Sequence, residues 1–445
     1  MDTLPPGPRL PRAVQTLRWI VRPGAFMDEQ ARRFGDTFTV RLLNSPPMVF
    51  LSDPDALREV FTADPELLRA GVANELLEPV LGANSLLLLD GERHLRQRRL
   101  MLPSFHGERI AGYARTIDAL AVREVASWPL REPLPLLARM QELTLRVIAR
   151  VVFGVEAGPR DEALRTRLRA LLDWSADRRR VVALALASAT PLRDRSLGGL
   201  RAVLRPVHAL LDETVRERRA LDPGALAARD DVLSLLVQAR DERGRPLSDA
   251  ELRDELVTLL IAGHETTATA IAWALERLLR HPSALARLRE ELAARPAGGD
   301  WLDAVAKETL RLRPILPIVA RYATAPFRLQ GRTIPAGTEL APCVYLVHRR
   351  PDVYPAPHAF RPERFLERPA GTYTWIPFGG GTRRCLGVSF AMLELKTVLA
   401  AVVREAELTP ADPAPERVRR HAITWAPEAG ATVVVARRRP ALSVV

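Results

Sequence analysis

The stretch from Ser248 to His281 constrains the fold more than any other part of the chain. Ser248 followed by Glu251 is a capping box, in which two side chains satisfy the first free N–H groups of a helix. The helical pattern it opens contains no proline until Pro282, whose missing N–H and fixed ring end a helix. About 32 residues at a 1.5 Å rise give a helix of about 48 Å, long enough to cross a whole domain. Its middle is apolar nearly all round, so it belongs in an interior. With a core of Leu and Ala, which favour helix, a mainly α fold is expected.

The flanking sequence agrees. Pro5-Pro6-Gly7-Pro8 is stiff and extended. A helix is expected over 26–34, then strands over 37–42 and 48–51, joined as a hairpin through Asn44-Ser45-Pro46. From 53 to about 240 the pattern is amphipathic helix broken by loops. Helices are expected over 284–294 and 301–313, the latter stopped by Pro314. Short strands and turns follow, including a type I turn with Pro335 second and Gly337 fourth. Residues 351–387 are too rich in Pro and Gly for helix. A last helix begins just after Cys385 and runs to about 405. No linker divides the chain, so residues 1–445 read as a single mainly α domain with a small β-sheet region.

Aromatic residues make up only 5% of the sequence, which leaves Leu, Ala and Val to build the core. The net charge of +12 raises nucleic-acid binding as a question. The basic residues form no arm, however. They alternate with acids, as at Glu213, Arg216, Glu217 and Arg218, or occur as short triplets at 178–180 and 437–439. That pattern argues against nucleic acid and for a patch that docks an acidic protein. The two cysteines, Cys343 and Cys385, cannot make a zinc cage or a disulfide framework, so a reducing compartment is expected. Cys343 falls in an expected strand as a core thiol. The N-terminus lacks the apolar stretch of a signal peptide, and no run approaches the ~20 apolar residues of a membrane span. The expected location is cytoplasmic.

The chemistry concentrates in Phe378-Gly379-Gly380-Gly381-Thr382-Arg383-Arg384-Cys385-Leu386-Gly387. Glycines let backbone approach a flat ligand and adopt positive φ. Cys385 precedes a helix whose N-terminal dipole and free N–H groups favour thiolate over thiol. One thiolate is the wrong ligand count for zinc but suits the axial position of a haem. A buried structural thiol or a phosphate-binding loop are the alternatives. The latter lacks the Gly-Lys-Ser/Thr ending that a phosphate cradle needs.

Three further groups stand out. Glu308 and Arg311, at i and i+3, share a helix face and can pair. Gly263, Thr266, Thr267 and Thr269 cluster in the middle of the long helix, where poor helix formers should weaken the ladder and open a groove. His94 and Arg98, at i and i+4, lie on one face of a basic helix over 93–102. Each also has a plain reading: a solvated pair, a helix that tolerates threonine, a cationic surface.

The chain resembles the cytochrome P-450 family, the haem-thiolate monooxygenases, in its soluble bacterial-type form. The family signature Phe-x-x-Gly-x-Arg-x-Cys-x-Gly is matched at every fixed position by Phe378, Gly381, Arg383, Cys385 and Gly387. The resemblance extends over essentially the whole chain, and it implies a helical fold with haem b between the long helix and the Cys385 loop. It makes Cys385 the metal ligand and Phe378 part of the cofactor site. His94, Arg98, Arg321 and Arg383 become partners of the haem propionates, where charge-assisted bonds from Arg suit carboxylates. Thr266 matches the hydroxyl that supports bound O2, and Glu265 the acid of the proton relay. His264 receives no role. Glu308, Arg311 and Arg364, the last from Pro362-Glu363-Arg364-Phe365, form a structural triad that holds the haem-loop scaffold.

The implied reaction is hydroxylation or epoxidation of an apolar small molecule: fatty acid, terpenoid, steroid or polyketide. Substrate contacts are expected near 69–89, 171–187, 259–267, 315–319 and 423–425. With no fused reductase expected, a separate ferredoxin or flavodoxin with its reductase would supply electrons. Arg93, Arg96 and Arg99 are candidates to dock that donor. Two rivals remain open: a peroxide-driven peroxygenase or haem-thiolate isomerase, and a non-redox apolar-ligand-binding helical protein.

Overall fold

The computed structural model describes residues 4–105, 107–155, 158–176 and 193–438. Internal contacts group the chain into two compact units interleaved in sequence. One takes Met1–Arg96, Leu316–Ala359 and Pro369–Leu386, and the other Gln97–Ile315, Phe360–Arg368 and Gly387–Val445.

The first unit is built on the expected hairpin. It begins with helices α1 (Arg12–Val21) and α2 (Pro23–Phe34). Strands β1 (Thr37–Arg41) and β2 (Pro47–Leu51) then pair antiparallel, and Asn44 takes a positive φ of 53° in the turn between them. Short strands β3 (Leu68–Arg69), β4 (Arg321–Ala323) and β5 (Glu339–Pro342) complete a five-stranded sheet in the order β1-β2-β5-β4-β3. Its core is mainly aliphatic, with Val49, Leu51, Leu57, Val60, Leu340 and Ile376 buried beside Phe61 and Phe327. The turn before β5 differs from the expectation. Its centre is Ala336–Gly337 and Gly337 has φ +80°, so glycine holds the left-handed third position instead of the fourth place of a type I turn. Cys343 lies just past β5, not within a strand. It is fully buried, and burial pushes its thiol up to about 12.

Helix α3 (Gly91–Met101) carries the chain onward into the second unit. There α5 (Asp249–Leu279) realises the long pattern, with both hydrogen bonds of the Ser248–Glu251 capping box formed. It ends at Leu279, and Pro282 opens the next helix, Pro282–Ala294, at its first position. Helix α5 packs against α4 (Leu136–Val151), α6 (Asp300–Leu312) and α7 (Val388–Glu405). Strands β6 (Val418–His421) and β7 (Thr424–Pro427) form an antiparallel pair that touches α5. The threonines do not interrupt α5: residues 249–279 are helical throughout. The glycine is accommodated because a Cβ at position 263 would already lie 3.3 Å from Ile148.

Candidate active site

In the first unit the Cys385 loop closes on itself. The Cys385 N–H donates to the Phe378 carbonyl at 2.9 Å, and Gly379 and Gly381 take φ of +68° and +65°. At Gly381 a Cβ would fall 2.0 Å from the Phe61 carbonyl oxygen, so only glycine fits. The ring of Phe378 meets Trp375 edge-on at 6.0 Å. Cys385 itself is exposed, two residues before the N-cap of α7.

Two guanidiniums of the same unit crowd one carboxylate. Arg383 is ion-paired with Asp90 and also donates to the carbonyls of Leu86 and Leu89. Arg321 is buried, and among the described residues its hydrogen bonds run to the Ala320 carbonyl at 2.8 Å and the Gly380 carbonyl at 3.5 Å. Burial lowers it to about 10; Arg383 adds to the shift and Asp90 opposes it. A buried cation beside a second cation is unfavourable unless further negative charge arrives. The donor set therefore fits carboxylates such as haem propionates, next to an accessible thiol on a glycine-rich loop. Helix α3 carries His94, which is buried, and Arg98, half-buried on the same face. Of the candidate docking arginines, Arg99 pairs with Glu242 at 2.9 Å and Arg93 donates to Asn84 at 3.3 Å.

In the second unit, the middle of α5 opens between two buried stretches, residues 254–258 and 267–278. Ala262 is exposed, with Thr266 and Glu265 half-buried, in a helix otherwise largely buried. The Thr266 hydroxyl donates back to the Ala262 carbonyl at 2.6 Å. Glu265 points to the β6–β7 pair, where its Oε1 accepts from His421 Nδ1 at 2.6 Å and Thr424 Oγ1 at 2.7 Å. Burial raises its carboxyl, but the bond and charge of His421, with help from Thr424 and His264, hold it below the usual carboxylate range. His264 lies buried beside it. Its Nδ1 has no hydrogen-bond partner among the described residues, and burial lowers the ring to about 4. Glu265, His264 and His421 line a cavity of about 400 Å³ together with Gln141, Glu142 and Arg169. Sequence reasoning missed His421, and it reached Thr424 only within the expected substrate-contact segment 423–425, not as a partner of Glu265. Nothing local marks either pairing, since the two lie 156 and 159 residues from Glu265.

Glu308, Arg311 and Arg364 come together and are almost fully buried. Arg311 donates to both carboxylate oxygens of Glu308, at 2.6 and 2.8 Å, and Arg364 approaches at 3.1 Å. The Arg361 backbone N–H adds a bond of 2.8 Å to the same carboxylate. Of the expected substrate-contact segments, 315 and 425 meet through a Trp425 N–H to Ile315 carbonyl bond of 2.8 Å. Most of 171–187, and the triplet at 178–180, lie outside the described residues.

The family model described as Cytochrome P-450 matches residues 5–432. The chain is 42% identical over 439 residues to a protein of Mycobacterium tuberculosis designated cytochrome P-450 135B1, covering 97% of this chain and 91% of that one. It is 39% identical over 416 residues to cytochrome P-450 137 of the same organism, covering 92% and 84%. Among solved structures, the retinoic acid-bound cyanobacterial CYP120A1 superposes with a TM-score of 0.84 at 25% identity, covering 99% of this chain and all of that one. The haem domain of cytochrome P-450DA superposes with a TM-score of 0.83, also at 25% identity. The chain belongs to the cytochrome P-450 family. The family and its fold carry haem b on an axial cysteine thiolate, and its members are oxygenases that use O2 and a redox partner. No helix among the described residues is long and apolar enough to cross a membrane.

Proposed function

We propose that Cys385 is the axial thiolate of a monooxygenase that hydroxylates or epoxidises an apolar small molecule, with electrons from a separate ferredoxin- or flavodoxin-type donor. The observation that carries this reading is the loop geometry: a complete signature whose glycines and Phe378 carbonyl fix the backbone while the Cys385 thiol stays accessible.

Haem bound there supplies O2 activation, with the thiolate favouring O–O cleavage. The protein's residues supply the rest. Arg321 and Arg383, with His94 and Arg98, hold the propionates by charge-assisted bonds. Inserting one oxygen atom into a C–H bond sends the other out as water, which consumes two electrons and two protons. Glu265 holds and passes protons, and the Thr266 hydroxyl positions them at the exposed turn of α5. Leu259, Ile315 and Trp425 exclude water and favour apolar ligands such as a fatty acid, terpenoid, steroid or polyketide. Glu308, Arg311 and Arg364 hold the scaffold and do no chemistry.

The test is optical. Dithionite-reduced protein under carbon monoxide is expected to show the long-wavelength band of thiolate ligation, and Cys385→Ser to lose it. Wild-type protein that binds haem without that band would overturn the reading. An absorbance titration of the wild type against those four apolar classes then reads which one displaces iron-bound water.

A further inference from the structure

Strands β6 and β7 are joined by only two residues, Ala422 and Ile423, which makes a tight hairpin. His421 and Thr424 are therefore a facing pair, and both aim their donors at one oxygen of Glu265. The turn is held from several sides. Ala422 takes a left-handed φ of +49°, which such loops demand and which strains any residue with a Cβ. Arg420 Nε donates to the Ala422 carbonyl at 2.8 Å. One residue further on, the Trp425 N–H donates to Ile315 at 2.8 Å, and its carbonyl accepts from Trp273 of α5 at 3.4 Å. Backbone strain kept in place by its surroundings is a feature of functional sites.

Thr424 gives this turn a specific capacity. Its Oγ1 lies 2.7 Å from Glu265 Oε1 and 2.8 Å from the His421 carbonyl, with one hydrogen to share between them. When Glu265 is ionised, the hydroxyl donates to the carboxylate. When Oε1 carries a proton, Thr424 Oγ1 accepts from it and swings its own hydrogen to the carbonyl. Both states of the acid thus find a partner without movement of the backbone. A carboxylate that only closed an ion pair would have no use for the second state.

Glu265 and His421 also line the cavity that α4, α5 and the β6–β7 pair enclose. Two polar atoms of its lining residues, His264 Nδ1 and Thr269 Oγ1, are buried without a hydrogen-bond partner among the described residues. The other ring nitrogen of His264 is bonded to the Gln141 backbone and burial keeps the ring neutral, so Nδ1 is an acceptor in need of a donor. Buried polar atoms that protein groups do not pair are paired by water. Exposed Arg169, Arg419 and Glu428 also line the cavity, which opens it to solvent.

We propose that protons for Glu265 enter through this cavity, and that His421 and Thr424 are positioning residues that hold its carboxyl there in both protonation states. The inference rests on the reading of Glu265 as the acid that passes protons. For each proton, an O–H bond forms at Glu265 on the cavity side. It breaks as the proton moves on toward the Thr266 turn, which leaves the carboxylate ionised again. Two such passages supply the two protons that one product consumes.

The test compares oxidants. Hydrogen peroxide brings oxygen, two electrons and both protons together, so it needs no proton supply from the protein. Full-length haem-loaded variants would be driven by O2 with a ferredoxin and its reductase, or by peroxide. The probe is lauric acid, limonene or testosterone, whichever displaces iron-bound water in the wild type. The ratio of O2-driven to peroxide-driven product is expected to fall about tenfold in His421→Ala and in Thr424→Val, part of the effect of a lost proton-transfer group. His421→Asn keeps an N–H donor near the place of Nδ1, and Thr424→Ser keeps the hydroxyl, so both should retain most of the ratio. A crystal structure of the haem-loaded wild type should show ordered water on His264 Nδ1 and Thr269 Oγ1. A dry cavity would overturn the proposal. So would ratios that the alanine and valine variants leave unchanged, or losses that the asparagine and serine variants share in full. Wild-type protein that makes no product with either oxidant would instead overturn the monooxygenase reading beneath it.

Discussion

His421 Nδ1 stands 2.6 Å from Glu265 Oε1, and Thr424 Oγ1 reaches the same oxygen at 2.7 Å. The central helix thus hands its acid to a strand pair, not to open solvent. Burial pushes Glu265 up, yet these partners bring it below the ordinary carboxylate value of 4.5. A carboxyl depressed on folding stabilises the protein above its unfolded pKa, and that stability is lost as pH falls through the folded value. In His421→Ala the burial stays and the partner goes, so the carboxyl should rise. The variant should be less stable by about 1–3 kcal/mol at neutral pH, and the gap should close in acid. Denaturation midpoints across pH read this directly. A gap that does not change with pH would show that His421 does not hold the charge.

Thr266 gives a second test. Valine keeps the branched shape and loses the hydroxyl that now donates to the Ala262 carbonyl. If that hydroxyl positions protons for the reaction, Thr266→Val should keep haem content while product formed per electron consumed falls by about 100-fold, the scale of a lost proton-transfer group. Unchanged coupling would remove Thr266 from the proton route.

Glu308 is held by four donors and has no exposure. Glu308→Ala leaves Arg311 and Arg364 buried without their counter-charge, at a cost of about 3–5 kcal/mol. Expression should yield little haem-loaded protein, with a depressed thermal midpoint. Glu308→Gln, which keeps most bonding atoms, should fall between. Normal haem content in the alanine variant would reduce the triad to an incidental contact.

The sequence made legible what rests on local chemistry. The capping box and Pro282 placed α5, the Asn44 turn placed the hairpin, and the signature loop placed Cys385. What it hid depends on tertiary pairing. The threonines of α5 predicted a weakened ladder and a groove; the helix runs on unbroken, packed against α4, and Thr144 from that helix donates to the His264 carbonyl at 3.1 Å. Gly337 was read as a turn's fourth residue, and only the backbone shows that it needs positive φ. His421 carries no local mark at all, and its distance along the chain makes its contact with Glu265 invisible to periodicity. Glu265 could be nominated by resemblance; where its carboxylate points could not.

Glu394 is the residue whose position in α7 looks least favourable. It is fully buried, and neither carboxylate oxygen finds a hydrogen-bond donor among the described residues. Burial alone pushes its pKa well above the ordinary 4.5. A carboxyl raised on folding works in the opposite sense to Glu265. Its neutral form is tolerated below the unfolded pKa, and stability is lost as pH climbs through the folded value, because the unfolded chain ionises first. Wild-type stability should therefore decline from mildly acid to mildly alkaline pH. Glu394→Gln keeps the shape and cannot ionise, so it should remove that part of the slope and gain about 1–3 kcal/mol at the alkaline end. Chemical denaturation of both proteins at matched pH values decides the matter. Parallel pH profiles would mean that Glu394 is charged in the folded protein and that some partner compensates it.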